Sequence, residues 1–328
     1  MIPLFLLTGF LGAGKTSVIN SLLRSCPPES LSRTAVLVND FGSCPVDAGL
    51  IQQTAGELDT SPIKIYEVSN GSIFCTCKSD SFVQGLKLLG RTRPERILVE
   101  ASGMADPSGF DRLLHEYQIA HQFLVRSIYC VIDPVVFLKL HTRLESLPRQ
   151  VCGADVLVIN KTDCTDPDAI RTLNAVLDAL NPRAIRIPTT FGHIPGGLND
   201  QNLPEHTVQD GALVTCNTPE NRPAALLLQL PAEDGKHSAD QRSNPRSTTV
   251  SRESLGTFFR DHDIWRVKGW LPVDGQMHYV SDTGRGLTFT PGPVPQGISP
   301  GLTVILAPDH AQRLADGWRR LIGHGGHR

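Results

Sequence analysis

Residues Gly9-Phe10-Leu11-Gly12-Ala13-Gly14-Lys15-Thr16 form a complete Walker A sequence, placed where its mechanism requires. The apolar run Ile2 to Leu7 reads as a buried strand, and Thr16-Ser17-Val18-Ile19-Asn20-Ser21-Leu22-Leu23 reads as the start of a helix. Gly9, Gly12, Ala13 and Gly14 supply backbone amides that close around phosphate oxygens, at the positive end of the helix dipole. Lys15 is expected to reach the β- and γ-phosphates. The Thr16 hydroxyl, with Ser17 in the same turn, is expected to serve the phosphates and a Mg²⁺ ion. The plain alternative is a glycine-rich turn that binds nothing, and the strand–loop–helix context disfavours it. The chain is expected to bind a nucleoside triphosphate.

From residue 1 to about 190, short apolar runs alternate with helical patterns. Strands are predicted at 2–7, 34–38, 63–67, 96–100, 126–132, 155–159 and 184–188. Helices are predicted at 15–25, part of 46–53, 79–90, 108–117, 134–146 and 166–180. Several strands are near-continuous β-branched and leucine runs, as expected when both faces of a sheet are covered. The order predicts an α/β fold, a mostly parallel P-loop NTPase sheet with helices on both faces and ligands at the strand C-terminal ends. Residues 1–192 form this expected domain. Residues 193–250 read as a polar, partly mobile connector, interrupted by the apolar run Ala224 to Leu230. Residues 251–322 read as a small C-terminal α+β domain. Its helix spans Arg252 to Phe259, its strands lie near 264–271, 276–282, 286–290 and 302–307, and a last helix covers 309–322. Residues 323–328 form a tail.

The totals exclude several function classes. A net charge of −2 over 328 residues gives no general attraction to nucleic acid or to an anionic membrane. No apolar stretch approaches the roughly 20 residues of a membrane span. Pro3 and the loop at Gly9 leave no room for a signal peptide. The 8 cysteines do not suggest a disulfide scaffold, and the expected compartment is the cytoplasm, where they stay thiols.

Asn160-Lys161-Thr162-Asp163 directly follows the strand ending at Ile159. An Asp carboxylate there accepts from the ring N1–H and exocyclic amine of guanine, which adenine does not offer, while Asn160 and Lys161 brace the base and the loop. GTP is therefore expected over ATP, because a buried polar group rejects a mismatched base. Two switch segments lie between the motifs. Val38-Asn39-Asp40-Phe41-Gly42 ends the second strand, with Asp47 shortly after. Glu100-Ala101-Ser102-Gly103 ends the strand expected beside the phosphate loop. Asp40, Asp47 and Glu100 are the candidate catalytic carboxylates, beside Lys15. Glu100 or Asp47 is a candidate for holding Mg²⁺ with Thr16, and the Gly103 amide for contacting the γ-phosphate.

Taken with Thr8 to Thr16, Cys75-Thr76-Cys77, Glu100 to Pro107 and the Trp265-Arg266-Val267-Lys268-Gly269 segment, these motifs make the chain resemble the CobW family of P-loop GTPases. The resemblance covers most of the chain apart from the connector. It implies a GTP-hydrolysing metal chaperone or insertase that binds a transition metal, zinc foremost, and delivers it to a client metalloprotein when the nucleotide state changes. It leaves a monomer and a dimer both open. The family's metal motif is Cys-x-Cys-Cys; here Cys75 and Cys77 are present and Lys78 holds the third place. Carboxylates that relatives often carry beside the first switch correspond to Val38 and Ser43. Cys44 lies next door, and Cys44, Cys75 and Cys77 together would suit zinc or Cu(I). A GTP-driven assembly switch with no metal of its own is the alternative, and Lys78 favours it. A small-molecule P-loop kinase is a third reading, against which Asp163 argues. His324 and His327 belong to the tail, and Cys130 reads as core.

Overall fold

The computed structural model describes residues 1–40, 64–69, 79–197, 206, 224–230, 249–262, 264–282, 285–294 and 299–323. The chain divides into two compact units, Met1–Thr218 and Pro219–Arg328.

Among the described residues, seven strands build the first unit: β1 (Ile2–Thr8), β2 (Thr34–Asp40), β3 (Lys64–Ser69), β4 (Arg96–Glu100), β5 (Phe123–Ile132), β6 (Val156–Ile159) and β7 (Ile185–Pro188). They lie in the order β3-β2-β4-β1-β5-β6-β7, and every pairing is parallel. Connections from β2 through β4 run on one side of β1 and those from β5 onward on the other. The carboxyl end of β1 is thus the point where the winding reverses, the place where such sheets open a crevice. The helices among the described residues are α1 (Lys15–Ser25), α2 (Pro28–Leu31), α3 (Ser79–Arg91), α4 (Phe110–Glu116), α5 (Pro134–Leu140), α6 (Ser146–Cys152) and α7 (Pro167–Leu180).

The sheet is buried on both faces, which explains its unbroken apolar strands. On one face Val18, Ile19, Leu22 and Leu23 of α1 pack on Phe5, Leu7, Val36, Val38, Leu98 and Tyr129. Each such fully buried side chain contributes about 1.5–3 kcal/mol relative to exposure. On the other face α3 lies against β2 and β3. Register then fixes the chemistry: Glu100 pairs with Leu7 of β1 and Val38 of β2, so it shares their face and looks toward α1.

The helix predicted at 134–146 stops at Leu140, and α6, from Ser146 to Cys152, was not predicted; Leu140, Leu144, Leu147 and Val151 are all buried, so one apolar stripe runs through the break between the two helices. The segment predicted as part helix at 46–53 lies outside the described residues. One residue of the connector is tightly held. His206 sits between Asp111 of α4 (Nε2 to Oδ2, 2.9 Å) and Asp155 before β6 (Nδ1 to Oδ2, 3.0 Å), and its amide donates to the Arg126 carbonyl at 3.3 Å. Burial opposes its charge, but the hydrogen bonds and negative charges of Asp111 and Asp155 outweigh it and raise the imidazole to about 9.

The second unit is a five-stranded antiparallel sheet: β8 (Ala224–Leu228), β9 (Ile264–Val273), β10 (Gln276–Asp282), β11 (Thr288–Pro291) and β12 (Gly301–Leu306). Its order is β11-β10-β9-β12-β8. The apolar run inside the connector is thus the outer strand of this sheet, paired along β12 from Leu228↔Leu302 to Ala224↔Leu306. Helices α8 (Arg252–Arg260) and α9 (Ala311–Gly323) bury Leu255, Phe258, Phe259, Leu314 and Trp318 against Val267, Leu271, Val280 and Val304. The Trp318 indole donates to the Gln229 carbonyl at 2.9 Å.

Candidate nucleotide site

The phosphate loop runs from the end of β1 into α1, whose N-cap is Gly14 with φ 106°. A side chain there would be strained by that angle, and its Cβ would fall 2.3 Å from Asn160 Nδ2. Glycine is required at this place because another loop is packed against it. Lys15 is buried, and its ammonium donates to the carbonyls of Gly9 (2.9 Å) and Phe10 (3.4 Å). Ser17 is exposed beside it.

Thr16 links the loop to β4. Its hydroxyl donates to Glu100 Oε1 at 3.1 Å and Oε2 at 3.2 Å. Glu100 is 4% exposed, and a carboxylate this buried is held where charge from outside has to meet it. Gly103 follows closely, its carbonyl accepting from Gln150 Nε2 at 3.2 Å. The Ser102 hydroxyl and both ends of the Asn39 amide, at the ends of β4 and β2, are buried and have no hydrogen-bond partner among the described residues. Asp40 is the last residue of β2, and Phe41, Asp47, Cys44, Cys75, Cys77 and Lys78 lie outside the described residues.

The loop after β6 is tied to the phosphate loop at two carbonyls. Asn160 Nδ2 donates to Ala13 at 2.8 Å, and Lys161 Nζ donates to Gly12 at 2.7 Å. Lys161 adopts φ 60° and also meets Asp133 Oδ2 at 2.9 Å. Asp133 is 3% exposed and caps α5 through the amides of Val135 and Val136. Asp163 is exposed in a short 3-10 turn, its Oδ2 accepting from the Cys164 thiol at 3.1 Å. Asp133 was not singled out from the sequence. An Asp-Pro pair at the end of a strand was its available signal, but it reads equally as an ordinary helix cap. Beneath the loop, burial pushes the Cys130 thiol up to about 12 against the opposing charge of Lys15, so this cysteine is an inert core residue.

These contacts join a strand–loop–helix, a strand-terminal carboxylate and the loop after β6 at the carboxyl end of the sheet. Residues 3–188 match the CobW/HypB/UreG nucleotide-binding domain. The chain belongs to the CobW/HypB/UreG family. It is thereby a P-loop GTPase, with the parallel α/β sheet that the sequence predicted. It is 30% identical to the zinc chaperone YjiA of Escherichia coli K12, over 84% of this chain and 83% of that one. A zinc chaperone CobW of Pseudomonas aeruginosa is 25% identical over 88% and 81%. A zinc chaperone CobW of a Sinorhizobium species is 31% identical over 57% of this chain, which spans 58% of that relative's length. Among the described residues no group of three or more His, Cys, Asp and Glu is placed to hold a metal, and no helix is long and apolar enough to cross a membrane.

Proposed function

We propose that this CobW-family chain hydrolyses GTP to GDP and phosphate, binds zinc as cargo, and hands it to a client metalloprotein according to its nucleotide state. The observation that carries the nucleotide half is the Thr16–Glu100 pair at the mouth of a phosphate loop pinned by Asn160 and Lys161. The zinc half is supported by the relatives' names and by Cys75 and Cys77, with Cys44 as the third thiolate of this reading.

Each residue has a part in this reading. Lys15 exchanges its loop carbonyls for β- and γ-phosphate oxygens, an arrangement prepared by its 2.9 Å contact to Gly9. The amides of Gly12, Ala13, Gly14, Thr16 and Ser17 surround the phosphates. Thr16 and Glu100, two hard oxygen donors, fit a Mg²⁺ ion, which would supply charge neutralisation on the phosphates. Asp40 or Asp47 orients the attacking water, and the Gly103 amide senses the γ-phosphate. Asp163 reads guanine, while Asn160 and Lys161 hold base-side and phosphate-side loops at fixed separation. Residues 1–192 act as the GTPase domain and 251–322 as the client-facing domain. The connector between them carries His206, and the chain works in the cytoplasm as a monomer or a dimer.

One observation favours the second reading, a GTP-driven assembly switch without its own metal. Val38, at a position where relatives often carry a carboxylate, is 1% exposed in the core beneath α1 and offers no ligand. Turnover of GTP and ATP, followed by zinc titration of wild type and Cys75→Ala/Cys77→Ala, separates the readings. Zinc binding lost in the double variant supports the chaperone. Equal zinc affinity in both supports the switch.

A further inference from the structure

Phe191 is 83% exposed, more than any other large apolar side chain among the described residues. It follows β7, in the loop Thr189-Thr190-Phe191-Gly192-His193, and its φ of 51° lies in the left-handed region. That conformation is costly for a residue with a β-carbon, and it persists only where the surroundings enforce it.

The surroundings do enforce it. Thr162 donates its amide at 3.2 Å and its hydroxyl at 3.0 Å to the Thr189 carbonyl. The Gly192 amide donates to Asn160 Oδ1 at 3.0 Å, and a β-carbon on Gly192 would stand 2.6 Å from the Val18 nitrogen in the first turns of α1. The Thr189 hydroxyl closes the loop on the His193 carbonyl. The loop is therefore fastened at once to Asn160-Lys161-Thr162-Asp163 and to the phosphate-loop helix. Lys161, on the loop it is fastened to, is another non-glycine residue in the left-handed region, with φ 60°. A strained, immobilised backbone that holds a phenyl ring in water adds nothing to the core. It does pre-position an apolar plane beside the residues that read a purine.

We propose that the Phe191 ring is a stacking platform for the nucleotide base. This deepens the GTP reading and rests on it. Stacking accepts any purine, so Phe191 supplies affinity while Asp163 supplies the choice of guanine.

Calorimetry on the full chain with GDP, ADP and pyrophosphate tests this. Phe191→Ala is expected to weaken GDP and any ADP binding roughly ten-fold and to leave pyrophosphate, which has no base, unchanged. Phe191→Trp is expected to keep GDP affinity and to gain a tryptophan emission that GDP quenches, over the unchanged signal of Trp265, Trp270 and Trp318. GDP affinity equal to wild type in Phe191→Ala overturns the proposal. An equal loss for pyrophosphate overturns it too, since it would make Phe191 a structural support of the loop. Absence of GDP binding by the wild type would instead remove the GTP reading itself.

Discussion

The Thr16 hydroxyl donates to both carboxylate oxygens of Glu100, at 3.1 and 3.2 Å, across 84 residues of sequence. The pair exists because β4 inserts between β2 and β1, which brings a buried carboxylate level with the first turn of α1. Glu100→Gln keeps the shape and a hydrogen bond but removes the charge. It is expected to lower magnesium-dependent GTP turnover roughly 10²–10³-fold, within the range that single charge-stabilising groups contribute. GDP binding in EDTA should hold within a few-fold. Turnover near wild type would remove Glu100 from the machinery.

Asp163 should determine the base. In Asp163→Asn the amide donates where the carboxylate accepted, so it suits xanthine, which carries a carbonyl in place of the guanine amine. GTP affinity is expected to fall by roughly 10²-fold or more, and XTP turnover to rise above GTP turnover. Competition binding with the two nucleotides reads the exchange. Unchanged preference for GTP would show that the base is read elsewhere.

Much of this site was legible in the residue pattern, because phosphate binding needs a local sequence on a strand–loop–helix. β4 was expected to lie beside the phosphate loop, and Leu7↔Glu100 puts it there. Lys161 was expected to brace the base and the loop; its ammonium meets the Gly12 carbonyl and is itself held by Asp133. No spacing rule links Asp133 to Lys161. Their contact arises only when β5 and β6 pair side by side. The end of α5 at Leu140, six residues before the predicted end, was hidden for a different reason. Leu140 and Leu144 keep helical spacing through a turn that interrupts the helix itself. Phe191 escaped because exposure of a single aromatic is visible only in three dimensions.

The Asp133–Lys161 pair yields its own test. Asp133→Ala deletes the cap of α5 and leaves Lys161 without its buried counter-charge. A loss of about 1–3 kcal/mol in stability follows. GTP affinity should fall as well, because the loop bearing Asp163 loses a tether. Asp133→Asn retains the cap, so it should recover most of the stability and less of the affinity. Denaturation by far-UV circular dichroism and nucleotide titration measure the two separately.

His206 predicts how stability depends on pH. Its folded pKa, about 9, lies above the ordinary value of 6.5, so its contribution is complete below pH 6.5 and is lost as pH rises through 9. The difference corresponds to about 2–3 kcal/mol for a site this buried. Resistance of the first unit to urea should therefore decline between pH 7 and 9.5, and His206→Gln should flatten that decline. All three tryptophans lie in the second unit, so backbone dichroism is the proper signal. The same slope in His206→Gln would mean that another group titrates.

Zinc affinity in the two nucleotide states measures the coupling of cargo to nucleotide directly. Competition titration of zinc against a chelator, on the full chain loaded with GDP or a non-hydrolysable GTP analogue, should give dissociation constants that differ by about ten-fold or more, within the usual range of couplings. That difference should vanish in Cys75→Ala/Cys77→Ala. Identical zinc affinity in both nucleotide states, or a difference that survives loss of both thiols, would contradict it.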